Sequence, residues 1–208
     1  MYEGSIIWFV TEGETDQEFY KKLINYIREL HHNKPFKVQK IDFFCARGIG
    51  NFSKKILRAF YGQIVRNYPN YKKIVFLCYD TDVFEYTAKP PIDRKKIIEA
   101  LKEMGADQVH QIKAKRTIED FFMIDQEGIQ KFLRLSNKYK ISSGLTGLKK
   151  IVKMHKDAQK TYFKGEKSEG LIDILDMELI MSKVGDKFLT LCKELGYDCN
   201  VIKKIIRP

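Results

Sequence analysis

The sequence predicts an α/β fold: a four-stranded, mostly parallel sheet sandwiched by helices, with a helical extension at the C-terminus. Short apolar runs alternate with amphipathic segments up to residue 116. Acidic or glycine-bearing turns follow the first three runs, and from residue 117 onward the pattern is mostly helical. Near-continuous apolar strands that alternate with helices are typical of a parallel sheet covered on both faces, because each crossover places a helix against the sheet.

Four strands and three intervening helices account for the predicted sheet. The strands are predicted at residues 6–10, 38–46, 74–79 and 109–112. The helices are predicted at residues 15–30, 52–65 and around 97–104. A capping box of Thr15 and Glu18 is expected to begin the first helix, and the segment that ends at Pro35 stops it.

The C-terminal part is predicted to be helical throughout. Its helices are predicted at residues 117–135, 145–163 and 171–195, and no further strand is expected. The turn-forming residues Ser142, Ser143 and Gly144 favour a boundary between a sheet domain at 1–141 and a helical region at 142–208 that packs on it. An ordinary loop between two helices is the alternative.

The charge balance favours a polyanionic partner, with nucleic acid as the first candidate. Lys and Arg number 38 against 27 Asp and Glu, which leaves a formal net charge of +11. A basic surface without a ligand is the alternative. The four cysteines lack C-x-x-C spacing, which argues against a structural zinc site. No apolar stretch approaches the length of a bilayer, so we expect a cytoplasmic protein without a membrane partner.

Three acidic side chains follow predicted strands. Glu12 comes after the first strand, and Asp80 and Asp82 come after the third. Loops that follow parallel strands share one edge of the sheet, where ligands of such folds bind, so we expect these acids to meet there. Carboxylate oxygens are the ligands that Mg²⁺ or Mn²⁺ prefers, and a divalent cation can drive phosphoryl transfer. Helix capping is the alternative for a lone D-x-D.

These acids lie in two motifs that resemble those of the TOPRIM family. The family signature is a glutamate in an E-G-x-(T/S/A)-(D/E) turn after the first strand and a D-x-D after the third. Here they stand as residues 12–16, EGETD, and residues 80–82, DTD. The resemblance covers about residues 5 to 125 and implies a TOPRIM-like sheet. It also implies that Asp80 and Asp82 are metal ligands and that Glu12 is a ligand or a general acid/base.

A third element resembles one found in nucleases of the overcoming-lysogenization-defect (OLD) group and in similar defence proteins. These proteins carry an S-x-E-D-like element after the fourth strand, which here reads TIEDFF at residues 117–122. It implies Glu119 or Asp120 as a ligand of a second metal, with Asp16 as a weaker candidate. The alternative for Asp120 is a capping box with Thr117, and for Asp16 it is a favourable place in the first turn of a helix.

Basic residues are expected to contact the phosphates of a nucleic acid. Lys113 is the candidate beside a scissile phosphate, and the residues predicted to bind nucleic acid are Arg47, Lys115, Arg116, Lys149, Lys153, Lys156, Lys160 and Lys164. The lysines at 149, 153, 156 and 160 share one helical face by spacing, although a solvated lysine face is the commoner meaning of such a stripe. Arg47 precedes a two-glycine loop that is either a phosphate cradle or a tight turn.

The sequence therefore favours a Mg²⁺- or Mn²⁺-dependent endonuclease that hydrolyses phosphodiester bonds of DNA or RNA. The resemblance implies an effector of anti-phage defence, and because the chain lacks the G-x-x-x-x-G-K-(S/T) motif, an ATPase partner would be a separate polypeptide. A non-catalytic nucleic-acid-binding or assembly module is one alternative, and phosphoryl transfer on a small substrate is another. The chain has no room for the additional domains of topoisomerases and primases. The oligomeric state stays open, with a homodimer as one alternative.

Overall fold

A single parallel sheet organises the chain in the computed structural model, which describes residues 2–82, 93–141, 144–168 and 170–206. The strands are Ser5–Thr11 (β1), Lys40–Cys45 (β2), Lys72–Tyr79 (β3) and Gln108–Lys113 (β4). Their order is β2-β1-β3-β4, and all three neighbouring pairs run parallel. The predicted α/β fold is confirmed.

Helices cover both faces of this sheet and make up the C-terminal part of the chain. The α-helices are Glu14–Leu30 (α1), Phe52–Ala59 (α2), Arg94–Glu103 (α3), Glu119–Phe122 (α4), Gln126–Phe132 (α5), Gly147–Asp157 (α6), Met177–Val184 (α7), Leu189–Glu194 (α8) and Asn200–Ile206 (α9). A π-helical segment, Phe60–Val65, continues α2. Among the described residues no helix is both long and apolar enough to cross a membrane.

The predicted C-terminal helices are each too long. The predicted helix at 117–135 is divided by a 3-10 turn at Met123–Asp125, because the Asp125 carboxylate accepts from the Gly128 N–H and caps a new helix. The helix at 145–163 ends at Asp157, since Gln159 takes a left-handed conformation with φ 56°. The helix at 171–195 starts only at Met177, where the Asp176 carboxylate accepts from the Leu179 N–H at 2.9 Å.

The predicted capping box of Thr15 and Glu18 is also wrong. The first helix begins at Glu14, and the carboxylate of Asp16 accepts hydrogen bonds from the backbone N–H groups of Glu12 and Gly13, both at 3.1 Å. The Thr15 hydroxyl donates instead to the carbonyl of Glu166. An acid in the first turn suits the positive end of the helix, so Asp16 serves the turn that carries Glu12.

Two apolar cores lie on opposite faces of the sheet, because successive strand residues point to opposite sides. On one face Trp8 packs with residues of α2, the π-helical segment and α3. On the other face Phe9 packs with α1 and with buried residues from α4 to α9. Ser142 and Ser143, the predicted domain boundary, lie outside the described residues. The helices that follow them share one core with the sheet.

The helices that follow the two middle strands, β1 and β3, pack on opposite faces of the sheet. After β1 the chain enters α1, which packs on one face of the sheet, and the helix after β3, α3, packs on the other. Because β1 and β3 are neighbours, a crevice forms beyond their carboxyl ends at this reversal of strand order. Open parallel sheets bind their ligands at such a switch point.

Candidate metal centre

Glu12 and Asp80 meet at this crevice, one from the end of β1 and one from the end of β3. The backbone N–H of Asp80 donates to Oε1 of Glu12 at 2.9 Å. The Asp80 side chain is buried and accepts from the Ile118 N–H through Oδ1 at 2.8 Å. The backbone N–H of Asp82 donates to the carbonyl of Arg116 at 3.1 Å, which ties the turn after β3 to the segment after β4. The Glu12 carboxylate is therefore hydrogen-bonded to the backbone of Asp80.

The ammonium of Lys164 lies between the two aspartates. Its Nζ is 2.8 Å from Oδ2 of Asp80 and 3.9 Å from Oδ2 of Asp82. The sequence predicted that Lys164 continues a row of phosphate-binding lysines, whereas the structure pairs it with the acids. It therefore supplies one positive charge at the point where a divalent cation is predicted.

Lys164 is held there by a segment, residues 162–168, that crosses the start of α1. The Glu14 N–H donates to the carbonyl of Gly165 at 2.8 Å, and the Ser168 N–H donates to the Glu18 carboxylate at 3.0 Å. A Cβ on Gly13 would lie 2.5 Å from the Cα of Gly165, so two glycines allow the backbones to touch. The 162–168 segment is thus anchored along the helix that follows Glu12.

The other three predicted metal ligands differ in their surroundings. Glu119 is fully buried; its Oε1 accepts from the Tyr162 hydroxyl at 2.9 Å, and its Oε2 has no partner among the described residues. Asp120 accepts from the Gly147 N–H at 2.7 Å and from the Thr117 N–H at 3.4 Å, as expected of a capping acid. Asp16 likewise binds backbone amides. Of these three, Glu119 is the one with a buried oxygen that lacks a hydrogen-bond partner among the described residues.

Burial and mutual repulsion make the acids of the cluster reluctant to ionise. Burial, and then the charge of Asp80, raises the pKa of Glu12 to about 7. Burial raises the pKa of Asp80 to about 6, although Lys164 opposes this. Burial and the charge of Asp80 raise the pKa of Asp16 well above its usual range. Burial would lower the pKa of Lys164, but the attraction of Asp80 outweighs it and the pKa is raised. The single positive charge of Lys164 therefore does not offset the effect of burial and repulsion on the pKa values of these acids.

A cavity of about 930 Å³ opens above the acids. Arg47 lines it, with its guanidinium 3.6 Å from the Glu14 carboxylate. Gly48 also lines it, in a left-handed conformation with φ 101°, but its N–H donates to the carbonyl of Glu12 at 2.9 Å. This amide is therefore used within the turn, which favours the tight-turn alternative for the two-glycine loop.

The remaining basic residues lie outside this cavity lining. Lys113 is exposed at the end of β4, opposite Tyr79, and the carbonyl of Lys115 accepts from the Thr81 hydroxyl. On α6, Lys149 and Lys156 are exposed. Lys153 on the same helix pairs with Asp157 at 2.8 Å. Lys160 follows the end of α6 and lies 5.2 Å from the centroid of the Phe132 ring, so the predicted helical stripe of four lysines is shortened to three.

Sequence reasoning missed the residues that the 162–168 segment brings to the site. Tyr162, Gly165 and Lys167 had no motif to mark them, and only the Lys164-Gly165 pair indicated a turn. Their approach to Glu12 and Asp80 spans more than 80 positions of sequence, and no local pattern encodes such a contact. The Gly13–Gly165 contact is visible only once both backbones are placed.

As they stand, the described residues contain no group of three or more His, Cys, Asp and Glu side chains arranged to hold a metal ion. Comparison with protein-family models, curated proteins and solved structures found no match to the chain. The TOPRIM resemblance accordingly stays a prediction that rests on the motifs. The geometry around Lys164 is the basis for the functional argument.

Proposed function

We propose that this chain is a divalent-metal-dependent nuclease that cleaves phosphodiester bonds of DNA or RNA. The observation that supports it best is the hydrogen bond from the Asp80 backbone to the Glu12 carboxylate at the switch point of the sheet, with the Lys164 ammonium between the side chains of Asp80 and Asp82. Burial and the charge of Asp80 raise the pKa of Glu12, so these acids need nearby positive charge to be ionised together, and a phosphodiester brings more negative charge. A divalent cation would supply that charge.

The side chains around the crevice are of the type that binds Mg²⁺ or Mn²⁺, but Lys164 lies where the ion would bind. Glu12, Asp80 and Asp82 offer hard oxygen donors, and Glu119 adds a buried oxygen without a partner among the described residues. The Lys164 ammonium occupies the space between the two aspartates, so an ion would bind there only after Lys164 moves. Once bound, the ion would polarise a phosphoryl oxygen and activate water.

The chain's own residues would then handle protons and phosphate. Without a metal ion the Glu12 carboxyl, with a pKa of about 7, takes up or releases a proton near neutral pH, whereas a bound cation would lower that pKa and hold Glu12 as a carboxylate. Arg47 and Lys164 line the same cavity as the acids, where their charges would meet phosphate oxygens. Participation in anti-phage defence and dependence on a separate ATPase stay proposals that derive from the motif resemblance.

The decisive experiment compares the wild-type protein with Asp80→Asn on mixed plasmid and RNA substrates, with Mg²⁺, with Mn²⁺ and with EDTA. We expect metal-dependent cleavage by the wild type and a loss of at least about 100-fold in the variant, because asparagine keeps the hydrogen bond from Ile118 but loses the charge. Asp186→Asn, an exposed aspartate elsewhere, is the matched control and should cleave normally. Equal cleavage by Asp80→Asn and wild type would rule out this mechanism.

A second candidate function is a non-catalytic module that binds nucleic acid or a partner. The observation that favours it is the Lys164–Asp80 ion pair, which already gives the buried Asp80 carboxylate a structural partner. Titration of Mn²⁺ into the protein by calorimetry separates the two functions. Absence of metal binding, together with oligonucleotide binding that weakens steeply with salt, would favour the module.

A further inference from the structure

Phe163 is an exposed aromatic residue beside the acidic cluster. Its side chain is 60% exposed, although both sequence neighbours point into the site. The Tyr162 hydroxyl donates to Glu119, and the Lys164 ammonium pairs with Asp80. These contacts fix the backbone on either side of Phe163, so the residue is held next to two residues that contact the acidic cluster.

The surroundings of Phe163 connect the acids to a basic surface. Phe163 lines a cavity of about 440 Å³ together with Lys160 and Lys167. Lys167 and Glu166 also line the larger cavity above Glu12 and Asp80, so the two depressions adjoin. A single exposed apolar side chain needs no explanation on its own. Phe163 differs in that it shares a cavity with two lysines, and that cavity adjoins the acidic crevice.

An aromatic face flanked by lysines matches the chemistry of an unpaired nucleotide. Lysines attract the backbone phosphates, and the ring stacks on a base of any identity. A base inside a duplex is already stacked on both sides, so it cannot lie on Phe163 unless it leaves the helix. Two lysines, Lys160 and Lys167, line the smaller cavity with Phe163 against one acid, Glu166, and their charges complement phosphate.

We propose that Phe163 stacks on an unpaired base next to the phosphodiester at the acidic cluster, which makes single-stranded nucleic acid the substrate class. This inference rests on the proposed nuclease function and specifies its substrate. Phe163 is then a binding and specificity residue, and the 162–168 segment presents it to the strand.

The test measures binding without cleavage, in EDTA. Fluorescence anisotropy of 20-nucleotide single-stranded DNA, single-stranded RNA and duplex DNA is compared for the wild type, Phe163→Ala and Phe163→Trp. We expect Phe163→Ala to weaken single-strand binding by about 5- to 100-fold, with duplex binding changed less than about twofold. Phe163→Trp should bind at least as tightly as the wild type. The DNA and RNA arms show which strand is preferred.

A control variant and a spectroscopic signature distinguish stacking on Phe163 from a general loss of binding affinity. Tyr61→Ala removes an aromatic side chain that is 52% exposed, on the segment that continues α2, and should leave binding unchanged. The fluorescence of a 2-aminopurine base in the oligonucleotide should change on binding to the wild type and to Phe163→Trp but not on binding to Phe163→Ala.

Three outcomes overturn the inference: no single-strand binding by the wild type, equal binding by Phe163→Ala, or an equal loss of single-strand and duplex affinity. Failure of the nuclease proposal is recognised separately, because it appears in the cleavage assay with Asp80→Asn and not in these binding measurements. A Phe163 that serves only as a contact for a protein partner would give the second outcome.

Discussion

At the scale of single residues, the Asp80 carboxylate forms an ion pair with an ammonium group of the chain itself, that of Lys164. Its Oδ2 lies 2.8 Å from Lys164 Nζ, and the Asp80 side chain is 5% exposed against 40% for Lys164. Removal of one partner from a buried pair costs about 3–5 kcal/mol, and the solvent exposure of Lys164 reduces that cost here. The same ammonium must leave before a metal ion can bind between Asp80 and Asp82.

Lys164→Gln should therefore bind Mn²⁺ more tightly than the wild type while being less stable without metal. We expect a gain of at least about tenfold in affinity, because the competing charge is lost at ion-pair distance. Calorimetric titration gives the affinity, and thermal unfolding in EDTA and in Mn²⁺ gives the stability.

Lys167→Gln is the matched control for that measurement. It removes the same charge from the lining of the same cavity without removing the partner of Asp80. Its Mn²⁺ affinity should stay within about threefold of wild type. Equal gains in both variants would mean that the overall charge of the cavity matters and the Lys164 contact does not.

Glu12 makes the stability of the metal-free protein depend on pH. Its pKa is raised from 4.5 to about 7, so the folded protein binds more protons than the unfolded chain between these values. This contribution to stability is complete below about pH 4.5 and is lost as the pH rises through 7. Asp80, with its pKa raised from 3.8 to about 6, acts in the same direction.

Glu12→Gln should consequently flatten the pH dependence of unfolding. In EDTA the melting temperature of the variant relative to wild type should rise between pH 5 and pH 8, by about 2–4 °C for each kcal/mol recovered. Differential scanning fluorimetry across this range measures it. A difference between the two proteins that stays constant with pH would contradict the assignment.

At the scale of elements, the start of α1 and the 162–168 segment form one unit. The segment is bonded to Glu14, Thr15 and Glu18 over the first turns of the helix, and its Gly165 touches Gly13. The position of Lys164 therefore depends on the close approach of the Gly13 and Gly165 backbones, which a side chain at Gly13 would prevent.

Gly13→Ala should disrupt this contact. The added Cβ would lie 2.5 Å from Gly165 Cα and 2.9 Å from its carbonyl oxygen, so the backbone must shift at a cost of about 1–3 kcal/mol. We expect a lower melting temperature and faster tryptic cleavage after Lys164 and Lys167. Gly62→Ala is the control, because a Cβ there meets nothing within 4 Å, and it should be neutral or slightly stabilising. Equal cleavage rates in the two variants would contradict the close contact.

At the scale of the whole molecule, two cores share one sheet. Trp8, the one tryptophan in the sequence, is buried in the core formed with α2 and α3. Phe9, the next residue, is buried in the other core with α1 and the C-terminal helices. Strands that serve both cores couple them, so neither core is expected to unfold alone.

Unfolding should accordingly be a single transition. Trp8 fluorescence reports on one core, and the far-ultraviolet circular dichroism comes largely from helices on the other, so the two curves should coincide in urea. Leu101→Ala and Leu191→Ala, one in each core, should each shift both curves together by about 2–5 kcal/mol. Separate midpoints would show that the two cores unfold independently.

The sequence by itself determined the local features of this protein. Short runs rich in apolar, β-branched and aromatic residues between turn signals favour strands, so the four strands and the alternation of strand and helix were predictable. The turns that carry Glu12 and Asp80 were predictable because polar residues end those runs abruptly. The breaks in the C-terminal helices were missed, although the capping acids Asp125 and Asp176 were visible signals.

Only the tertiary structure decided which residues share the crevice. The order β2-β1-β3-β4 makes β1 and β3 neighbours and so joins Glu12 to Asp80, and a linear pattern does not encode strand order. The approach of Lys164 and Phe163 depends on hydrogen bonds and a glycine contact between segments about 150 residues apart. Local propensity predicts elements because their forces act over a few residues, whereas a site is assembled by packing across the whole chain.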